Sequence, residues 1–123
     1  MSKKVLIVDD DKDLCLSIKI GLEYLYDDIQ IIVLEDGEDC IEYLEQNTPP
    51  ELILLDIMMP GIDGWEVASK IKSNPSWDKI TVFFVTAKID AYSKAKGKVV
   101  VDKYITKPFD LNDLAEEVEK VLG

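Results

Sequence analysis

The sequence contains no histidine, which excludes every function that needs an imidazole supplied by this chain itself. Such functions include a phosphohistidine, the general base of a serine protease and an imidazole metal ligand. Arginine is absent as well, because all 14 cationic side chains are lysines. A phosphate bound by this chain has to be held by lysine, a metal ion or backbone amides, since no bidentate guanidinium is available.

Cysteine is scarce, and long apolar runs are missing. Cys15 and Cys40 show neither a metal-binding spacing nor a disulfide framework, so we expect two buried free thiols rather than zinc or redox chemistry. The apolar runs are strand-sized and fall short of the roughly 20 residues that span a bilayer, so no membrane association is expected. Residues 1–4 lead into the first run without a secretory signal pattern, which predicts a cytoplasmic protein.

Net positive charge is also lacking, because 25 acidic side chains against 14 lysines give a net charge of -11. Direct nucleic-acid binding is therefore not expected, since it needs clustered cations that neutralise phosphates. The apolar share of 47% and the charged share of 32% are those of an ordinary globular chain. With 123 residues, the sequence predicts a single domain over residues 1–123.

Short β-branched runs alternate with longer amphipathic segments along the chain, which predicts an α/β fold of repeated βα units around a parallel sheet. Four of the predicted strands are nearly continuous apolar runs, as expected for strands covered on both faces, and the fifth alternates like an edge strand. The predicted strands are Val5–Val8, Gln30–Leu34, Leu52–Leu55, Thr81–Val85 and Val100–Ile105.

Five helices are predicted between and after these strands from capping residues and apolar spacing. In the first helix the apolar spacing falls on Leu14, Ile18, Leu22 and Leu25. The predicted helices are one capped by Asp11 or Asp13, one capped by Asp36, one from about Gly64, one over about residues 90–96 and one from Asp110.

Four of the predicted strands end in a reactive side chain. The first strand is followed by Asp9, Asp10 and Asp11, the third by Asp56, the fourth by Thr86 and the fifth by Thr106 and Lys107. Ligands of parallel α/β sheets bind outside the carboxyl ends of the strands. These groups are therefore expected to converge at one edge of the sheet.

Each of these residues also has an ordinary structural interpretation when it is taken alone. Aspartates after a strand are typical helix N-caps, a threonine is common in strands, and Lys107 before a proline is compatible with a surface lysine. Asp56 is harder to explain, because an ionised carboxylate at the end of an apolar strand is costly without a partner. The common position at consecutive strand ends favours a site.

Clustered carboxylates repel one another, and the usual remedy is a hard divalent cation with oxygen ligands, with Mg²⁺ as the expected choice. Asp9 and Asp10 are predicted to hold the metal, and Lys107 to cover an oxygen of an incoming phosphoryl group. Asp56 is then the predicted nucleophile, which forms an acyl phosphate.

Four segments of the sequence resemble, in order, the signature segments of the receiver domains of two-component response regulators. They read Val-Asp-Asp at 8–10, Leu-Leu-Asp-Ile-Met-Met-Pro-Gly-Ile-Asp-Gly at 54–64, Val-Thr-Ala at 85–87 and Tyr-Ile-Thr-Lys-Pro-Phe at 104–109. The resemblance implies a flavodoxin-like, doubly wound, five-stranded parallel sheet of order 2-1-3-4-5 with five helices. It also implies that the phosphoryl group comes from the phosphohistidine of a sensor histidine kinase or phosphotransfer protein.

The resemblance further implies a role for each site residue. Asp10, Asp56 and the backbone carbonyl of Met58 would ligate Mg²⁺, with Asp9 helping through water. Thr86 and Lys107 would bind the phosphoryl oxygens, and the Lys107–Pro108 peptide would be cis. The chain would catalyse only its own phosphorylation and dephosphorylation, so it is not expected to be an enzyme acting on other substrates.

The same resemblance implies how the signal leaves the site. Thr86 would move toward the phosphoryl group, and Tyr104 would turn inward. The surface formed by the fourth predicted helix, the fifth strand and the fifth helix would then bind a downstream protein, or an output domain that follows Gly123. Met58, two residues past the acceptor, cannot orient water, so slow hydrolysis of the phosphoryl group is expected.

One segment departs from the family pattern. Where receivers usually have Gly-Ala-Asp before the fifth strand, this chain has Val100-Val101-Asp102, and a β-branched residue resists positive φ. The loop cannot form a glycine-dependent turn at Val100, so the family pattern does not fix the residue at which the fifth strand starts.

Two other functions stay as alternatives. A haloacid-dehalogenase-type phosphatase also uses a strand-end aspartate with Mg²⁺, but the position where its motif needs Thr or Val is Asp13. A degenerate receiver would bind partners without phosphorylation, although every acceptor, metal and switch position has the expected residue type. An EF-hand is excluded, because Leu14 and Ile20 replace its glycine and glutamate.

Overall fold

The chain forms one five-stranded parallel sheet with helices on both faces, in a computed structural model that describes residues 3–87 and 101–123. The strand order is β2-β1-β3-β4-β5, which confirms the predicted fold class and order. The elements are β1 (Lys3–Val8), α1 (Lys12–Leu25), β2 (Ile29–Leu34), α2 (Gly37–Gln46), β3 (Leu52–Leu55), α3 (Gly64–Lys72), β4 (Thr81–Thr86), β5 (Lys103–Thr106) and α4 (Leu111–Leu122). Thus α4 is the helix predicted as the fifth, whereas the predicted fourth helix, at about residues 90–96, lies outside the described residues.

The central strands are apolar along their whole length because alternate side chains feed two separate cores. One core lies between the sheet and the pair α2 and α3, and the other lies between the sheet and the pair α1 and α4. Strand residues of the first core are Leu6, Val8, Ile53, Leu55, Val82 and Phe84. Strand residues of the second are Val5, Ile7, Ile31, Leu52, Leu54, Phe83 and Val85.

Each described helix begins at an aspartate cap, as the sequence predicts for all of them except α3. The side chain of the cap accepts a hydrogen bond from a backbone N–H in the first turn, which satisfies one of the donors left free at a helix N-terminus. The caps are Asp11, Asp36, Asp63 and Asp110. For the first helix this decides between the two predicted caps in favour of Asp11.

Three expectations about burial and element bounds are wrong. The apolar β2, at the predicted edge of the sheet, is not covered on both faces along its length, and Val33 is 37% exposed. Leu25, predicted to lie on the apolar face of the first helix, is 56% exposed. The buried face of α1 consists of Cys15, Ile18 and Leu22.

The fifth strand starts at Lys103, not at Val100. Asp102 explains the later start, because both its backbone and its side chain are hydrogen-bonded to Val82 at the beginning of β4. Its backbone N–H donates to the carbonyl of Val82 at 2.9 Å, and its carboxylate accepts from the N–H of Val82 at 2.8 Å and from Lys72 Nζ at 3.3 Å. Val100 lies outside the described residues.

Both cysteines are buried and free, which confirms that expectation, and burial raises the pKa of each thiol to about 12. None of the helices in the described part of the chain has both the length and the apolar character needed to cross a membrane.

Candidate functional site

The strand register brings two aspartates to the same edge of the sheet. Val8 at the end of β1 pairs with Leu55 at the end of β3, so Asp9 and Asp56 emerge side by side. The backbone N–H of Asp56 donates to the carbonyl of Val8 at 3.0 Å, which extends the strand pairing by one residue. Both side chains are buried, with 4% of Asp9 and 6% of Asp56 exposed.

Asp10 completes a cluster of three carboxylates. One carboxylate oxygen from each of Asp9, Asp10 and Asp56 lies within 4.8 Å of the other two, and we call these residues the acidic cluster. Asp10 is exposed, so the cluster opens to solvent on one side. Three carboxylate oxygens without nitrogen or sulfur ligands fit a hard cation such as Mg²⁺ that keeps several waters.

Lys107 supplies the positive charge beside the acidic cluster. Its Nζ lies 2.7 Å from Asp9 Oδ2 and 3.7 Å from Asp56 Oδ2. Its backbone N–H donates to the carbonyl of Thr86 at 2.8 Å, at the end of the paired strands β4 and β5. The Lys107–Pro108 peptide is cis.

The site disfavours charge on Asp56. Burial, followed by the neighbouring charge of Asp9, raises the pKa of Asp56, and the ammonium of Lys107 and two backbone N–H groups only partly offset this. Burial also lowers the pKa of Lys107, but its hydrogen bond to Asp9 and the charge of Asp56 outweigh burial, so that the pKa is raised overall. Lys107 therefore stays a cation at neutral pH, while Asp56 lacks full compensation for its negative charge.

Thr86 ends β4 with its side chain fully buried, and its Oγ1 is a buried polar atom with no hydrogen-bond partner among the described residues. A buried hydroxyl without a hydrogen-bond partner is unusual in folded proteins, and a catalytic role is one of its known explanations. The next residue, Ala87, is exposed and has a small side chain.

Tyr104 lies on the edge strand β5 and is 39% exposed. Its ring packs against Phe84, with centroids 5.5 Å apart, and against Trp65, with centroids 6.2 Å apart. Trp65 and Phe84 are themselves in an edge-on contact at 4.7 Å. Sequence reasoning missed Trp65, because the first residues of a helix gave no sign that this ring would meet two strands.

The segment that follows Asp56, residues 57–63, is here called the acceptor loop. The backbone N–H of Met58 donates to Asp56 Oδ1 at 3.4 Å, and the Met58 side chain is 71% exposed. At the far end, the N–H of Gly64 donates to the carbonyl of Ile57 at 2.8 Å. A Cβ atom at Gly64 would lie 2.7 Å from Ile57 Cα and even closer to the carbonyl oxygen of Asp56, so only glycine fits here.

Glu38, in the first turn of α2, also contacts the acceptor loop. Its Oε1 accepts a hydrogen bond from the N–H of Ile62 at 3.0 Å. Sequence reasoning missed this residue, since the two partners are 24 positions apart and no local pattern links them.

The structure thus brings Asp9, Asp10, Asp56 and Lys107 together and places Thr86 at the neighbouring strand end. Tyr104 lies on β5 and contacts Phe84, which precedes Thr86 by two residues on β4. The predicted roles of these residues stay predictions, because proximity alone does not assign a reaction.

The sequence profile described as "Response regulator receiver domain" matches residues 5–119. Response regulator ArlR of Staphylococcus saprophyticus is 37% identical over 120 residues, which cover 97% of this chain and 52% of ArlR. Protein PilG of Pseudomonas aeruginosa is 34% identical over 112 residues, which cover 90% of this chain and 81% of PilG. The chain therefore spans about half the length of ArlR.

Among solved structures, response regulator TrrA of Thermotoga maritima, in complex with Mg²⁺ and beryllofluoride, superposes with a TM-score of 0.82. The two sequences are 29% identical, and the match covers 97% of this chain and 98% of the TrrA chain.

Proposed function

Because the chain belongs to the receiver domain family of response regulators, we propose that Asp56 accepts a phosphoryl group and that this modification switches partner binding. The observation that carries the proposal is the buried Asp56 carboxylate, held beside two further carboxylates and one permanent cation. Burying a carboxylate without full compensation of its charge is unfavourable. Carboxylates in such surroundings are found most often at functional sites.

Mg²⁺ is proposed as the cofactor, held by Asp9, Asp10, Asp56 and the backbone carbonyl of Met58. When bound, it would neutralise oxygens of the phosphoryl group and offset the mutual repulsion of the carboxylates. The oxygen-only composition of the acidic cluster supports this choice, as does the Mg²⁺ in the TrrA complex.

The proposed donor is the phosphohistidine of a sensor histidine kinase or of a phosphotransfer protein. An oxygen of Asp56 attacks phosphorus in line, the bond between phosphorus and the donor nitrogen breaks, and an acyl phosphate forms on Asp56. The Lys107 ammonium, already 3.7 Å from Asp56 Oδ2, would pair with a phosphoryl oxygen. The chain would thus catalyse its own phosphorylation and dephosphorylation without acting on other substrates.

The proposed switch begins at Thr86. Its unpartnered hydroxyl would donate to a phosphoryl oxygen, and Tyr104 would then turn inward. One charge-assisted hydrogen bond is worth about 1.5–3 kcal/mol, which is enough to shift a population of states but not to refold a domain. The surface that responds would include β5, α4 and the predicted fourth helix, and it would bind a downstream protein or an output domain.

Phosphorylation of the whole chain by acetyl phosphate and Mg²⁺, followed by intact mass measurement, tests the proposal. We expect an adduct of about 80 Da that disappears in Asp56→Asn and when the metal is chelated. Asp78→Asn, which alters an exposed aspartate after α3, is the matched control and should keep the adduct. An unmodified wild-type chain would indicate a degenerate receiver, and multiple turnover of a phosphomonoester would indicate a phosphatase.

A further inference from the structure

The acceptor loop is fixed to the sheet at both of its ends. Asp56 pairs with the end of β1 through its backbone, and Gly64 packs on the backbone of Asp56 and Ile57. Between these ends the loop carries Met58, whose carbonyl is the only proposed metal ligand that does not come from a carboxylate. The position of that carbonyl depends on what holds the middle of the loop.

Glu38 holds the middle of the loop. Its carboxylate accepts from the N–H of Ile62 and also lies against Gly61, where an added Cβ atom would be 2.5 Å from Glu38 Oε1. Gly61 has φ of 78°, a left-handed conformation that glycine adopts readily. The turn at Gly61 is therefore held in place by the carboxylate of Glu38, a residue of α2.

The neighbouring residue of α2 reinforces this contact. A Cβ atom at Gly37 would lie 2.6 Å from Ile62 Cγ1 and 2.6 Å from Val67 Cγ2, so the start of α2 packs directly against the loop and α3. The start of α2 thus holds Ile62 twice, through the side chain of Ile62 next to Gly37 and through its backbone N–H to Glu38. The free part of the loop is shortened to residues 57–61, which lowers the entropy lost when its carbonyl is ordered for a ligand.

We propose that Glu38 is a positioning residue that fixes the acceptor loop and thereby places the Met58 carbonyl for Mg²⁺. The inference rests on the proposed function, because it concerns the metal site of the same reaction. Glu38 itself touches neither the acidic cluster nor Lys107 in the contacts described. It acts through the backbone of Ile62.

Titration of the whole chain with Mg²⁺ alone, followed by amide NMR shifts, tests this role. Glu38→Ala should raise the Mg²⁺ dissociation constant about three- to tenfold, the range expected when one hydrogen bond that orders a ligand is lost. Glu38→Asp should behave similarly, since it keeps the charge but shortens the side chain. Glu38→Gln should stay within about twofold of wild type, because its amide oxygen can still accept from Ile62.

Glu42→Ala is the matched control, because it removes the same charge one turn further along α2 and should leave Mg²⁺ affinity nearly unchanged. Hydrogen exchange of the Ile62 amide gives a direct readout of the contact. Exchange should accelerate in Glu38→Ala and Glu38→Asp but not in Glu38→Gln or Glu42→Ala, with thermal unfolding measured alongside.

The outcomes separate this inference from the proposed function. A wild-type chain that binds no Mg²⁺ overturns both. If the wild-type chain binds Mg²⁺ and Glu38→Ala binds it as tightly, the positioning role is refuted while the phosphoacceptor proposal stands. Equal weakening in Glu38→Gln and Glu42→Ala would also refute it, because the effect would then be one of charge.

Discussion

Asp56 is held in a site that resists its ionisation. Burial and the charge of Asp9 both raise its pKa, and Lys107 lies closer to Asp9 than to Asp56. The Asp56 carboxylate is therefore stabilised by a nearby cation. This links the electrostatics of one residue to the metal dependence of the proposed reaction.

Asp56→Asn should stabilise the metal-free chain at neutral pH. The pKa of Asp56 is raised in the folded state above its ordinary value of 3.8, so the folded state binds the proton more tightly than the unfolded state. The wild type therefore loses stability as pH rises from below 3.8 through the folded-state pKa, and the amide avoids that loss. Urea unfolding of the wild-type chain and of Asp56→Asn at neutral and acidic pH measures the difference in their free energies of unfolding.

The difference should shrink at acidic pH, where the carboxyl group is protonated in both states. Asp78→Asn, at an exposed position, is the control and should change little. An Asp56→Asn variant less stable than wild type at neutral pH would contradict the electrostatic description of the site.

Met58→Asn should speed loss of the phosphoryl group. The Met58 side chain is 71% exposed and has no group that can orient an attacking water. The amide of asparagine can orient a water, because it has both a hydrogen-bond acceptor and donors. We expect the hydrolysis rate to rise by roughly two- to tenfold, which is what one hydrogen bond to the attacking water can supply. The rate is measured from decay of the adduct after the phosphodonor is removed, with Met58→Leu as the apolar control; equal rates in all three proteins would refute the expectation.

At the scale of elements, β1, β3 and β4 are predictable from sequence because each is an unbroken apolar run between polar ends. Such a run does not reveal how well each face of the strand is covered, so the exposure of Val33 on β2 is not predicted. The start of β5 was also missed, since it depends on contacts of Asp102 with Val82 and Lys72. These partners lie 20 and 30 positions away, beyond the reach of any local pattern.

Asp102→Ala should destabilise the sheet where β4 meets β5. The substitution leaves the N–H of Val82 without its 2.8 Å acceptor and breaks the ion pair with Lys72. We expect a loss of about 1 kcal/mol in the free energy of unfolding, since the carboxylate is partly exposed and its ion pair is screened by solvent.

Urea unfolding measures this loss, and Asp102→Asn should retain part of the stability because its amide oxygen can still accept from Val82. Asp78→Ala serves as a surface control. An Asp102→Ala variant as stable as wild type would show that the late start of β5 has another cause.

At the scale of the whole molecule, the fold concentrates its chemistry by alignment rather than by sequence proximity. Asp9 and Lys107 are 98 positions apart yet lie 2.7 Å from each other, because parallel strands bring all their carboxyl ends to one edge. The sequence could therefore predict which strand-end residues meet. It could not predict the lateral support from α2, which depends on how a helix packs against a loop.

Asp56 is the residue that we propose to carry the phosphoryl group. Borohydride reduction of the chain after treatment with acetyl phosphate and Mg²⁺ tests this proposal directly, because an aspartyl phosphate is reduced to homoserine, which peptide mass spectrometry locates. We predict homoserine at position 56 alone. Homoserine at Asp9 or Asp10, or an adduct of about 80 Da that survives in Asp56→Asn, would contradict the claim.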